Sequence, residues 1–139
     1  MSRTYRGAEP LVAVVIPVYN DEKYIAECLD SLVAQTVPYW EAWLADDCSD
    51  DRSVEICEEY CCRDSRFHLI RSGKNGSAWA CRARGIMAVS PSVEYIMFAD
   101  ADDSLTRGAV GTAYEEMKKS PVDIPVSYTH LTLPTRDQV

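Results

Sequence analysis

Short apolar runs alternate along the chain with longer segments in which apolar residues recur every three or four positions. The runs are rich in β-branched or aromatic residues, so each predicts a buried strand. They cover residues 11–16, 40–45, 66–71 and 95–98. The helical segments that follow them begin near residues 20, 49, 77 and 107. Four strand–helix units with short connections predict right-handed crossovers and an α/β fold with a doubly wound, mostly parallel sheet.

Turn and cap signals predict where these elements begin and end. Pro17 is expected to end the first strand, since proline has no N–H to donate. Asn20 and Asp21 are expected to cap the first helix, and Ser49 or Asp50 the second. The third helix should stop before Pro91. Its spacing predicts the inward residues Ala80, Ala83, Ile86 and Met87.

The carboxyl ends of parallel strands meet at one edge of a sheet, which is where open α/β sheets bind ligands. Asp46 and Asp47 follow the second strand there, and three more acids follow the fourth: Asp100, Asp102 and Asp103. Such a cluster is tolerable if some acids serve as helix caps, or if a divalent cation compensates their charge. Carboxylates facing a diphosphate suit Mg²⁺ or Mn²⁺.

Composition narrows the class of protein. With 139 residues, 47% of them hydrophobic, the chain is expected to form one domain. A net charge of -8 argues against non-specific binding to nucleic acid or anionic membranes, which reward basic surfaces. No apolar run is long enough to span a membrane and no signal peptide is recognisable, so a cytoplasmic location is expected, although a longer parent protein could be membrane-associated.

The six cysteines are expected to be free thiols, mostly buried on helices. A zinc site at Cys57, Cys61, Cys62 and His68 is the less favoured alternative, because paired C-x-x-C spacing is absent. Other ligand motifs fail on required residues. A P-loop at Gly73-Lys74 would need glycine at His68, no G-x-G-x-x-G follows the first strand, and an EF-hand starting at Asp100 would need glycine at Leu105.

Four motifs in order closely resemble the nucleotide-sugar half of the family 2 glycosyltransferases, over residues 11–125. They are residues 14–20 (VVIPVYN), residues 46–50 (DDCSD), Asn75-Gly76 leading to Arg82 and Gly85-Ile86, and residues 98–103 (FADADD). The resemblance implies a GT-A, Rossmann-like nucleotide-binding half and transfer of a sugar from a nucleotide-diphospho-sugar, with a UDP-sugar favoured. The acceptor is a hydroxyl on a glycan, lipid or other molecule.

The resemblance also implies roles for individual residues. Pro17, Tyr19 and Asp47 would line the nucleobase pocket, with Asp47 accepting from a uracil-type imide. Arg82 would lie near the nucleotide and Asp100 near the ribose and sugar. Asp102 and Asp103 would hold Mn²⁺ or Mg²⁺ on the diphosphate.

Two residues depart from the family pattern. Cys48 replaces a small turn residue, and Trp79 is bulkier than usual. We expect Trp79 in the core; shaping the sugar pocket is the alternative.

The family's general base lies well downstream of the acidic loop, and no later acid here stands in a matching context, so no catalytic residue is predicted. Residues 1–10 are expected to be a lead-in. Residues 126–139 resemble a translated sequencing adapter, so we expect native sequence to end near Pro125, leaving a truncated donor half that is inactive alone. The alternative function is a non-catalytic nucleotide-binding or regulatory α/β module.

Overall fold

The computed structural model describes residues 9–72 and 78–119. Residues 73–77, which include the Asn75-Gly76 motif, the expected lead-in except residues 9 and 10, and the expected non-native tail lie outside the described residues. Four strands alternate with four helices: β1 Val12–Val18, α1 Ile25–Val33, β2 Trp40–Asp46, α2 Ser53–Arg63, β3 Phe67–Arg71, α3 Ala78–Ala88, β4 Tyr95–Phe98 and α4 Ala109–Lys119. All pairings are parallel, in the order β3-β2-β1-β4. The predicted α/β class and parallel sheet are confirmed.

Strand β1 forms the centre of the sheet. Its residues Val14, Val15 and Ile16 have no exposed surface. Val15 pairs with Trp43 of β2 on one side and Phe98 of β4 on the other. Among the described residues β4 pairs with β1 alone, and of its four residues only Met97 is buried, so the prediction of a buried strand holds only in part for β4.

Pro17 does not end β1, contrary to prediction, because its nitrogen faces the side of the sheet where pairing has already stopped. Val18 accepts from Asp47 N–H of the β2 chain at 2.9 Å, whereas Val15 accepts from Ala99 N–H of the β4 chain at 3.1 Å. Alternate residues of a strand direct their backbone groups to opposite sides. Pro17 therefore faces β4, whose pairing ends at Val15, and no ladder hydrogen bond is lost.

The predicted helix caps are wrong. Helix α1 begins at Ile25 after Tyr24, with no side-chain cap, and α2 begins at Ser53. The N–H of Ser53 donates to Asp51 at 2.9 Å. The side chains of Asn20, Asp21 and Ser49 bond to loops instead: Asn20 Oδ1 accepts from Asp50 N–H, Ser49 Oγ from Asn20 N–H, and Asp21 Oδ2 from Tyr19 N–H.

Helix α3 presents Cys81 and Gly85 to the sheet, not the residues its spacing predicted. Ile86 and Met87 are exposed, at 39% and 87%. A Cβ at Gly85 would lie 2.5 Å from Val15 Cγ1, so only glycine permits this approach of helix and strand. Trp79 is 73% exposed, and its expected place in the core is also wrong.

The opposite face of the sheet carries the main core. The even-numbered side chains of β1 pack there with residues of α1, α2 and α4, among them Leu29, Cys57 and Val110. The six cysteines are free thiols; Cys48 and Cys62 are exposed. In residues 9–72 and 78–119, no helix has the length and apolar character needed to cross a bilayer.

Candidate functional site

The chain order reverses at β1, since β2 and β3 lie to one side of it and β4 to the other. The loops that leave β1 and β4 therefore diverge at a topological switch point, where open α/β sheets form a ligand crevice. The loop after β4 carries the acids of the FADADD motif, and the loop after β1 carries Tyr19. The expected site segments after β1, β2 and β4 thus lie at one edge of the sheet, and the expected segment after β3 falls largely on residues 73–77, outside the described residues.

The loops after β1 and β2 are tied to each other by reciprocal hydrogen bonds. Asn20 N–H donates to Ser49 Oγ at 2.9 Å, and Asp50 N–H donates to Asn20 Oδ1 at 2.9 Å. Asp21 N–H donates to Ser53 Oγ at 2.8 Å. These bonds hold Asn20 in the left-handed region at φ 51°, where asparagine is tolerated. They fix the spacing between the segments that carry Tyr19 and Asp47.

The two acids after β2 have different surroundings. Asp46 is buried and accepts from Ser49 N–H at 3.1 Å and Ser49 Oγ at 2.5 Å, so it holds the turn. Asp47 is also buried, and its Oδ1 lies 4.0 Å from Arg84 Nη2. Sequence reasoning missed Arg84. The available signal was its spacing from the apolar residue Cys81: residues three apart share a helix face, so Arg84 lies on the same side of α3 as Cys81, which is buried.

Tyr19 and Pro17 lie at the end of β1. The Tyr19 side chain is half exposed, and its N–H donates to Asp21 Oδ2 at 3.0 Å. Pro17 is half-buried beside it in the strand. An exposed aromatic ring on a backbone fixed by an acid is a suitable surface for a planar base.

Arg82 and Asp100, two of the expected donor-site residues, lie next to each other. Arg82 Nη2 lies 3.7 Å from Asp100 Oδ1, and the guanidinium lies 5.8 Å from the centre of the Phe98 ring. Both charged side chains are well exposed, so the ion pair contributes little to stability. The Arg82 guanidinium is partly exposed beside the acidic loop.

Asp100, Asp102 and Asp103 form a cluster in which one carboxylate oxygen of each lies within 4.8 Å of the others. Asp102 is exposed, Asp100 half-buried and Asp103 buried. Asp103 does not cap α4, because that helix begins only at Ala109. An all-oxygen, anionic donor set fits Mg²⁺ or Mn²⁺, and a cation would relieve the mutual repulsion.

The negative charge of this cluster affects the pKa values of two further residues, Asp21 and Cys28. Sequence reasoning assigned neither of them to the cluster. Burial raises the pKa of Asp21, and the charges of Asp102, Asp51 and Asp100 raise it further. The hydrogen bond from Tyr19 N–H acts in the opposite direction. Burial, followed by the charge of Asp103, raises the pKa of the Cys28 thiol to about 12. Asp21 had been assigned to a helix cap and Cys28 to the core, and no local pattern places either beside a loop some 75 residues away.

Comparisons with known proteins identify the family to which the chain is similar. The sequence profile of the family described as Glycosyl transferase family 2 matches residues 13–131. EpsJ of Bacillus subtilis (strain 168), named an uncharacterized glycosyltransferase, is 39% identical over 115 residues, which are 83% of this chain and 33% of EpsJ.

Solved structures resemble the chain as well. Staphylococcus aureus TarS 1-349 in complex with UDP has a TM-score of 0.74 and 28% identity, over 81% of this chain and 33% of that one. TarS 1-349 is also solved in complex with UDP-GlcNAc. The mannosyltransferase PcManGT from Pyrobaculum calidifontis, in complex with GDP-Man and Mn²⁺, has a TM-score of 0.71 over 87% of this chain and 38% of its own, and at 18% identity shares the fold.

This chain therefore spans about a third of the length of EpsJ and of TarS 1-349. The family profile nevertheless extends over most of this chain, and the parallel sheet of the chain has the GT-A arrangement of TarS. On these grounds, the chain belongs to glycosyl transferase family 2.

Proposed function

We propose that this chain is the donor-binding part of a glycosyltransferase that moves a sugar, with inversion, from a nucleotide-diphospho-sugar to an acceptor hydroxyl. The observation that carries the proposal is the cluster of Asp100, Asp102 and Asp103 at the switch point of the sheet, with Arg82 beside it. A UDP-sugar is the favoured donor. The UDP and UDP-GlcNAc complexes of TarS support that choice.

The nucleoside would bind between the loops after β1 and β2. The buried Asp47 carboxylate is suited to accept from a uracil imide, and the exposed ring of Tyr19 would cover the base next to Pro17. Arg84 would place positive charge beside that carboxylate, since its Nη2 lies 4.0 Å from Asp47 Oδ1.

The diphosphate would lie over the acidic loop. Asp102 and Asp103 would hold Mn²⁺ or Mg²⁺ there, and the bound cation would neutralise charge on the departing diphosphate. Asp100 would orient the ribose and sugar. Arg82 would add positive charge from the side of α3, which is useful where leaving-group charge develops.

In the reaction, an acceptor oxygen attacks the anomeric carbon as the bond from that carbon to the diphosphate breaks, which inverts the configuration. A base must take the proton of the acceptor hydroxyl. We assign that role to no described residue, so this chain alone is expected to bind donor without transferring sugar.

Titration of the purified chain with UDP and UDP-GlcNAc, with and without Mn²⁺, tests the proposal. We expect Mn²⁺ to strengthen nucleotide binding about tenfold or more, and Asp102→Ala to abolish the gain. Asp50→Ala is the matched control, because Asp50 is equally exposed on the neighbouring loop. Binding that ignores both Mn²⁺ and Asp102→Ala would favour a regulatory nucleotide-binding module. Absence of any nucleotide binding by the wild-type chain would refute a donor site in this chain.

A further inference from the structure

The segment between β4 and α4 carries the acid cluster yet lacks regular secondary structure over residues 99–108. Ala101 and Leu105 anchor it in the core, at 3% and 5% exposure. Its polar backbone groups must find partners outside a helix or sheet. Three of those groups find partners in a stripe formed by Cys28 and Ser31 of α1 and by Gln35, two residues beyond the end of that helix.

The stripe begins beneath the acids. Cys28 Sγ donates to the carbonyl oxygen of Asp100 at 3.6 Å. One turn later, Ser31 Oγ accepts from Leu105 N–H at 3.0 Å while donating to the Cys28 carbonyl at 2.6 Å. Ser31 therefore holds the backbone two residues beyond Asp103, and its own hydroxyl is fixed by the helix.

Gln35 continues the stripe after the helix ends. Its Nε2 donates to the Thr106 carbonyl at 2.6 Å and to the Ser31 carbonyl at 3.1 Å. Its Oε1 accepts from Val110 N–H at 2.9 Å, in the first turn of α4. One amide thus fastens both the acidic loop and the start of the next helix to α1.

Ion repulsion works against this loop. Three carboxylates within 4.8 Å would move apart if their backbone were free, since like charges at this distance repel strongly. We propose that Ser31 and Gln35 are positioning residues: they hold the acidic loop so that its carboxylates keep the spacing a divalent cation requires. The inference rests on the proposed function, because it concerns the same metal on the same carboxylates.

The test compares Ser31→Ala and Gln35→Met with the wild-type chain. Gln35→Met keeps side-chain length without either hydrogen bond, and Ser31→Thr retains the hydroxyl as a conservative rescue. Ser92→Ala is the matched control, because it also removes a hydroxyl bond to backbone, 2.7 Å to Pro10 O, but at the opposite edge of the sheet. Each variant is measured for Mn²⁺ affinity in the presence of UDP, for metal-free UDP affinity and for thermal midpoint.

We expect Ser31→Ala and Gln35→Met each to weaken Mn²⁺ binding about tenfold, as loss of groups that orient metal ligands does, with metal-free UDP affinity unchanged. Ser31→Thr should recover most of the Mn²⁺ affinity, and Ser92→Ala should keep all of it at a comparable thermal midpoint. Wild-type Mn²⁺ affinity in both stripe variants, or an equal loss in Ser92→Ala, would overturn the inference and leave the proposed function standing. A wild-type chain that binds UDP without any response to Mn²⁺ would overturn the metal role and this inference together.

Discussion

The contact between Gly85 of α3 and Val15 of β1 gives a sharp test of how the helix is seated on the sheet. Replacing Gly85 with alanine would place a Cβ 2.5 Å from Val15 Cγ1 and 3.4 Å from Cγ2. Carbon atoms normally approach to about 3.5–4.0 Å, so one of the two groups must move by roughly 1 Å. Val15 has no exposed surface and lies between two paired strands, which leaves it little room to move.

Two effects of opposite sign determine the size of the change. Alanine is favoured over glycine inside a helix by about 1 kcal/mol. Overpacking a rigid core costs about 1–3 kcal/mol, and the 2.5 Å approach to a β-branched side chain places this site at the upper end. We expect Gly85→Ala to lower the free energy of unfolding by about 1–2 kcal/mol.

Urea unfolding of the single and double variants measures this cost. Val15→Ala removes the two methyl groups that the new Cβ would meet, so Gly85→Ala should cost less in that background, with a coupling of about 1 kcal/mol or more. Gly108→Ala is the control, because its Cβ would meet only Thr112 Oγ1, at 3.8 Å. Stability of Gly85→Ala at or above wild type, or additive effects in the double variant, would refute the reasoning.

Three further predictions concern single side chains. UDP with Mn²⁺ should protect the exposed Cys48 thiol from alkylation, as measured by mass spectrometry, whereas the exposed Cys62 thiol should be labelled equally with and without ligand. Equal labelling of Cys48 under both conditions would contradict the proposed pocket. Cys48 has φ 68°, where a side chain costs about 1–2 kcal/mol, and glycine would remove that cost but add chain entropy to the unfolded state, so Cys48→Gly should raise the free energy of unfolding by about 0.5–1 kcal/mol. A lower urea midpoint would count against this. Burial lowers the pKa of His68 below 6.5, although the Glu41 carboxylate acts in the opposite direction, so the free energy of unfolding falls as the pH drops below that value. Between about pH 7 and about pH 5, His68→Gln should therefore lose less stability than wild type, and parallel pH profiles of the two would contradict the assignment.

The sequence was sufficient for the order of elements and for the edge at which the acids meet. Both depend on local information: an apolar run such as 95–98 predicts a strand, and a following carboxylate such as Asp100 must then stand at that strand's carboxyl end. Parallel topology follows from four repeats of the same unit. The acid cluster after β4 was predicted in this way, whereas the ion pair between Arg82 and Asp100 was not predicted.

Cap assignments failed because short polar side chains have several partners of similar quality, and the sequence does not rank partners that are distant along the chain. Asn20 bonds to Asp50, thirty residues away, in preference to the helix beside it. The inward face of α3 was misjudged for a related reason. Apolar side chains such as Met87 indicated one face, while the sheet required the closest approach, which only Gly85 provides.

The acidic edge illustrates a conflict that no local pattern reveals. Burial, and after it the charges of Asp102, Asp51 and Asp100, raises the pKa of Asp21, so folding disfavours the ionised form of this carboxyl group. A loop chosen for stability alone would spread these groups or exchange some for neutral ones. Ser31 of α1 and Gln35 beyond the end of that helix instead hold the loop, in keeping with the proposed cation, which would compensate this charge.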